Sequence, residues 1–163
     1  MSENKNFQEK AILRDEFIKI AKEAISKYPE LQHSWNMNAD GVSCSLTFPK
    51  QNENGFEILI EVSPNQITVF TVGAHQHFDS PEDSNETKIK TALALVRDLL
   101  SSDMRIRELR AGNSAYRWAL ESLHQNNWRR ESSTGLLFWN YFGKRSEKIF
   151  QNYTLPTRLN KAN

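Results

Sequence analysis

The chain has 163 residues, the size of an ordinary domain that buries roughly 70% of its unfolded surface, so a core forms without staples. Its hydrophobic fraction of 38%, charged fraction of 25% and 17 aromatic residues (four Trp, nine Phe, four Tyr) exclude a disordered polymer, and the single Cys44 excludes an intramolecular disulfide. The net charge of +1 hides an uneven spread: residues 1–101 carry 10 Lys+Arg and 15 Asp+Glu, whereas residues 102–163 carry 11 and 5. Such asymmetry marks either a basic interaction face or halves that neutralise each other.

The N-terminus is polar, without the apolar core of a signal segment, and no apolar run approaches the ~20 residues of a membrane helix. The expectation is a cytoplasmic protein with no membrane partner. Residues 7–28 predict a first amphipathic helix: Phe7, Ala11, Phe17, Ile18, Ala21, Ala24, Ile25 and Tyr28 recur at three- and four-residue spacings, and Pro29 stops the run.

The period then changes to two. His33, Trp35 and Met37 alternate, Asn38-Ala39-Asp40-Gly41 supplies turn chemistry, and Val42, Cys44, Leu46 and Phe48 alternate beyond it, a hairpin pattern. After a polar loop from Pro49 to Gly55, Phe56, Ile58, Ile60 and Val62 predict a third strand. Ser63-Pro64-Asn65 turns the chain into a fourth, at Ile67, Val69 and Thr71. A loop from His75 to Asp83 leads to a second helix over 84–101, with Ile89, Ala92, Leu93, Val96, Leu99 and Leu100 as its stripe. Asp83 and Glu86 have the spacing of a capping box.

The rest predicts strands at Met104–Arg110, Tyr116–Leu120, Trp128–Glu131 and Gly135–Phe142, with turns at Gly112-Asn113 and Gln125-Asn126-Asn127. Residues 114–123 also fit a helical stripe, but the flanking turns favour strand. The expected fold is α+β, with two amphipathic helices on a mainly antiparallel sheet, in the order α-β-β-β-β-α-β-β-β-β. Residues 1–155 form a single domain in this reading, and residues 156–163 a frayed tail.

Three constellations bear on chemistry. If the fourth strand reaches them, His75, His77 and Asp79 stand in one row, ligand types that zinc uses; only His33 and His124 remain as further histidines. Trp128, Arg129, Arg130, Trp139 and Arg145, with Arg105, Arg107, Arg110, Arg117 and Lys148 around them, combine rings with cations. That composition suits a protein hot spot or a nucleic-acid face. Ser132-Ser133-Thr134-Gly135 reads as a tight turn, since it lacks the spaced glycine and lysine of a phosphate loop. Cys44 alternates with apolar residues and reads as a small buried hydrophobe. Neither a nucleophile elbow nor a cofactor motif occurs, so no catalytic residue and no cofactor is assigned.

The order of elements over roughly the first 100 residues resembles small bacterial partner-binding proteins, namely type III secretion chaperones and immunity proteins of toxin systems. That resemblance implies a non-enzymatic domain that binds another protein. With Trp128, Arg129, Arg130, Trp139 and Arg145 as its contact residues, this is the leading expectation. The alternatives are nucleic-acid binding through the basic aromatic C-terminal sheet, and a metal-dependent enzyme at His75, His77 and Asp79. Exposed edge strands would also allow a dimer.

Overall fold

The structure, a computed structural model, describes residues 2–135 and 142–157, with side chains from Gln8 onward. The first helix, α1, spans Ser2–Ile25. Its buried stripe is Ala11, Leu13, Phe17 and Ala21, and Phe17 meets Trp35 edge-on at 5.9 Å between ring centroids. Five strands follow: β1 (Ser34–Met37), β2 (Cys44–Phe48), β3 (Ile58–Ser63), β4 (Gln66–Thr71) and β5 (Ala74–Phe78). They form one sheet in sequence order, and the registered pairs among β1 to β4 are all antiparallel.

Register puts the apolar residues on one face. Cys44 lies opposite Val62, Leu46 opposite Ile60 and Phe48 opposite Ile58, while Ile60 and Val62 face Val69 and Ile67 across the next pair. All eight are buried, as the alternation of period two requires. The β1–β2 turn is closed by Asp40. Its carboxylate accepts from the backbone N–H groups of Val42 and Ser43, each at 2.9 Å, and from the Ser43 hydroxyl at 2.6 Å. These donors, the hydroxyl foremost, hold the Asp40 carboxyl below the usual carboxylate range. Gly41 adopts φ 67° there, a conformation that favours glycine.

The second helix, α2, spans Asn85–Leu100 and turns Ile89, Ala92, Val96, Leu99 and Leu100 inward. Its cap differs from the expected one. The Ser84 hydroxyl accepts from the Thr87 N–H at 3.2 Å, and the Ser84 carbonyl accepts from the Lys88 N–H at 3.0 Å. Ser84 is therefore the cap and not Asp83; Glu86 instead pairs with Lys90 one turn on.

A second sheet follows, built from β6 (Met104–Ala111), β7 (Ser114–His124), β8 (Asn127–Gly135) and β9 (Arg145–Phe150) in the order β8-β7-β6-β9, all pairs antiparallel. Residues 114–123 are strand, as favoured from the sequence. The Gln125-Asn126 turn has φ 47° and 64°, the two positive values that a two-residue hairpin of matching twist needs. Gly73, at φ 68°, lies under the Trp118 ring: a Cβ there would stand 2.2 Å from Trp118 Cδ2.

The α+β class and the antiparallel pairing agree with the sequence reading, but the strands are divided between two sheets, of five and four strands. The segment 75–78, expected as loop, is β5. Ser132-Ser133-Thr134-Gly135, expected as a turn, is the end of β8. Of the strand expected at Gly135–Phe142, residues 136–141 lie outside the described residues; the last described strand is β9 instead.

The chain divides into two compact units, one of residues 1–49, 57–70 and 75–96, the other of 50–56, 71–74 and 97–163. Within the second unit, Asn152, fully buried, fastens the loop before β3. Its Oδ1 accepts from the Phe56 N–H at 3.2 Å, and its Nδ2 donates to the carbonyls of Phe56 and Leu99 at 3.3 and 3.1 Å. Leu155, the last residue before the tail expected to fray, is buried, and its N–H reaches the Leu100 carbonyl at 3.0 Å. Residues 158–163 lie outside the described residues. No helix among the described residues is long and apolar enough to cross a membrane.

Candidate functional site

The second sheet carries the cations that the sequence singled out, and the buried carboxylates of Glu108 and Glu121 decide which of them are free to act. Arg105 and Arg107 alternate onto one face of β6, and Glu121 of β7 stands directly opposite Arg105. The Glu121 carboxylate is 5% exposed, and it accepts from Arg105 Nε at 2.8 Å and from Arg107 at 2.6 Å. Arg107 also lies 3.7 Å from Glu147 of β9. On the other face, Glu108 accepts from the Trp118 indole N–H at 2.9 Å and lies 3.4 Å from Arg110. Arg105, Arg107 and Arg110 are therefore engaged by carboxylates within the sheet, and they drop out of the basic rim expected from composition.

Arg105 has a second role. Its guanidinium stands 4.1 Å over the Trp128 ring, a cation–π contact that covers one face of the indole. Glu108 and Glu121 carry no sequence signal of their own, because each is a lone acid in a strand. The available signal was the pairing of a single Glu with an Arg-x-Arg run across a turn.

Arg129 and Arg130 are different. Both are exposed on β8, and neither forms an ion pair among the described residues. Strand alternation puts Arg130 on the face of Trp128 and Arg129 on the opposite face. All of β8 is exposed except Trp128, which is half-buried. Glu131 has no register partner, because the β7–β8 pairing slips there; its carboxylate bonds the Ser122 hydroxyl.

The expected five-residue set is not one cluster. Trp128, Arg129 and Arg130 stand together on β8, but Arg145 begins β9 at the other edge of the sheet, where its guanidinium covers Tyr116 at 5.1 Å. Arg145 pairs with Ala111, six positions along β6 from the Arg105 that faces Glu121 and, beyond it, Arg130. Three strand spacings across and that offset along separate the two corners by about 24 Å. Trp139 lies outside the described residues.

In the first sheet, His75 and His77 do share one face of β5, with ring centroids 4.8 Å apart. His77 Nδ1 is bonded by Thr68 Oγ1 at 3.0 Å and by the Gln66 amide, and His75 packs on Phe70. Among the described residues, no three His, Cys, Asp or Glu side chains gather so as to hold a metal ion, so Asp79 does not complete the row. Cys44 is buried, and burial pushes its thiol up to about 11, so it stays protonated and inert at neutral pH. An open groove of about 790 Å³ between α1 and the start of α2 is rimmed by Glu16, Lys19, Glu23, Lys27, Glu86 and Lys90, whose charges cancel over a floor of Ile20 and Ala24. Comparison with protein-family models, with curated proteins and with solved structures finds no match for this chain.

Proposed function

We propose that this chain is a non-enzymatic protein-binding domain whose partner meets β8 of the second sheet. The observation that carries the reading is a nine-residue edge strand, exposed along its length except at Trp128 and bearing two adjacent arginines without an ion pair among the described residues. On β6 of that sheet, Arg105, Arg107 and Arg110 are each matched to a carboxylate within it. Here two are left to solvent beside an aromatic anchor already held by Arg105, an arrangement enriched at binding hot spots.

Nucleic-acid binding at the same sheet is less well supported. Base stacking needs an open ring face, and Arg105 occupies one face of Trp128, while Arg107 is neutralised by Glu121. The deciding experiment is affinity purification from the native cell at low salt, with and without nuclease, using the natural chain and the Arg129→Glu/Arg130→Glu double variant. A stoichiometric protein partner lost with the double variant supports the reading. Recovery of nucleic acid alone overturns it.

A further inference from the structure

β8 pairs with β7 on one side only, and among the described residues no strand lies on its other side. Alternate backbone N–H and C=O groups of an edge strand face outward, a template on which an extended segment adds as a further strand. Residues 129–135 are all exposed, so about seven positions are open to such a segment.

Charge selects the segment. Arg129 and Arg130 present a guanidinium on each face of the strand, and side chains directly opposite each other in an antiparallel pair interact. A second copy of β8 does not match both guanidinium groups: a twofold antiparallel pairing centred on Arg129 or Glu131 sets identical charges opposite each other, one centred on Arg130 does so at Arg130 while only Arg129 meets Glu131, and one centred on Ser132 or Ser133 puts no carboxylate opposite either arginine. A basic segment fails for the same reason. A segment with two consecutive carboxylates puts one against each guanidinium, one on either face. Beyond the arginines, Ser132, Ser133 and Thr134 are small and hydroxylic, and they suit β-branched or threonine residues across the pair.

We propose that β8 takes up an extended acidic segment of a partner protein as an added antiparallel strand, with adjacent carboxylates opposite Arg129 and Arg130. This rests on the protein-binding reading and narrows it to one class of partner.

The test uses the whole chain and a fluorescent peptide of about ten residues, Thr- and Val-rich and ending in Glu-Glu. Its companions are a Lys-Lys counterpart and two versions N-methylated at alternate backbone amides, one in each phase. Binding is read by anisotropy at low salt, and strand addition by protection of β8 amides from hydrogen exchange. The Glu-Glu peptide is expected to bind and protect β8. The Lys-Lys peptide, one N-methylated phase, and the Arg129→Glu and Arg130→Glu variants are each expected to weaken binding by about tenfold or more. Unchanged melting temperatures establish that the exposed substitutions leave the fold intact.

Equal binding by both N-methylated phases overturns strand addition. Absence of Glu-Glu binding, alongside a cellular partner still lost with the double variant, overturns the acidic-strand proposal and leaves the protein-binding reading standing. Absence of both overturns the two together.

Discussion

Glu121 has a negative charge almost out of reach of solvent, and two guanidinium groups make that tolerable. Removing one member of a buried pair leaves its partners without compensation. Arg105 and Arg107 keep 22% and 27% of their side-chain exposure, so the effect falls below that of a fully dry pair. Glu121→Gln is expected to lower stability by about 2 kcal/mol in urea denaturation. Cys44 makes a second test at this scale. The unfolded thiol ionises from near pH 9, whereas the folded one holds its proton to about 11. Its contribution is complete below pH 9, and it is lost as the pH rises through that window, because only the unfolded state releases the proton there. The natural chain is expected to lose about 1–3 kcal/mol more than Cys44→Ala between those limits, measured by denaturation across the pH range. That Cys44 is buried was legible from its alternation with apolar neighbours. The partners of Glu121 were not, because cross-strand register over a turn decides which arginine meets which acid.

Elements with one wet face and one dry face announce themselves; those wet on both faces do not. β2, β3 and β4 were readable because Cys44-x-Leu46-x-Phe48, Ile58-x-Ile60-x-Val62 and Ile67-x-Val69 alternate over a buried face. β8 is legible only as far as Glu131, because its exposed continuation, Ser132-Ser133-Thr134-Gly135, has turn-like composition and no alternation to detect. β5 is hidden for the same reason, with His75, Gln76 and His77 all exposed. The α2 boundary erred by one residue. Asp83 and Ser84 are both good cap residues, and both have a polar residue three positions on, so composition alone favours neither. The structure distinguishes them. Ser84→Ala is expected to cost about 1 kcal/mol and Asp83→Ala a few tenths at most, compared by urea midpoints at constant slope.

At the scale of the whole molecule, the charge asymmetry visible in the sequence survives folding in part. Glu108, Glu121 and Glu147 each engage arginines of β6. Arg117, Arg129, Arg130, Lys144, Arg145 and Lys148 remain exposed, and none forms an ion pair among the described residues. Arg129 and Arg130 lie on one edge strand, Arg145 and Lys148 on the other, and Arg117 on β7 between them, so replacing the β8 pair is expected to abolish partner capture, while Arg145→Glu leaves it largely unchanged in the same purification. Composition revealed the excess of positive charge; only strand order reveals that it does not form one patch.

The placement of the indoles gives each unit its own optical signature. Among the described residues, Trp35, packed on Phe17, is the one tryptophan of the first unit, whereas Trp118 and Trp128 belong to the second. In a Trp35→Phe/Trp139→Phe protein, intrinsic fluorescence reports Trp118 and Trp128 of the second unit, while far-ultraviolet ellipticity is dominated by α1, which lies wholly in the first. Because α2 runs unbroken across the division between residues 96 and 97, the two signals are expected to change at the same urea concentration, the mark of one cooperative unit. Separate midpoints would make the two units independent folding bodies joined by a shared helix.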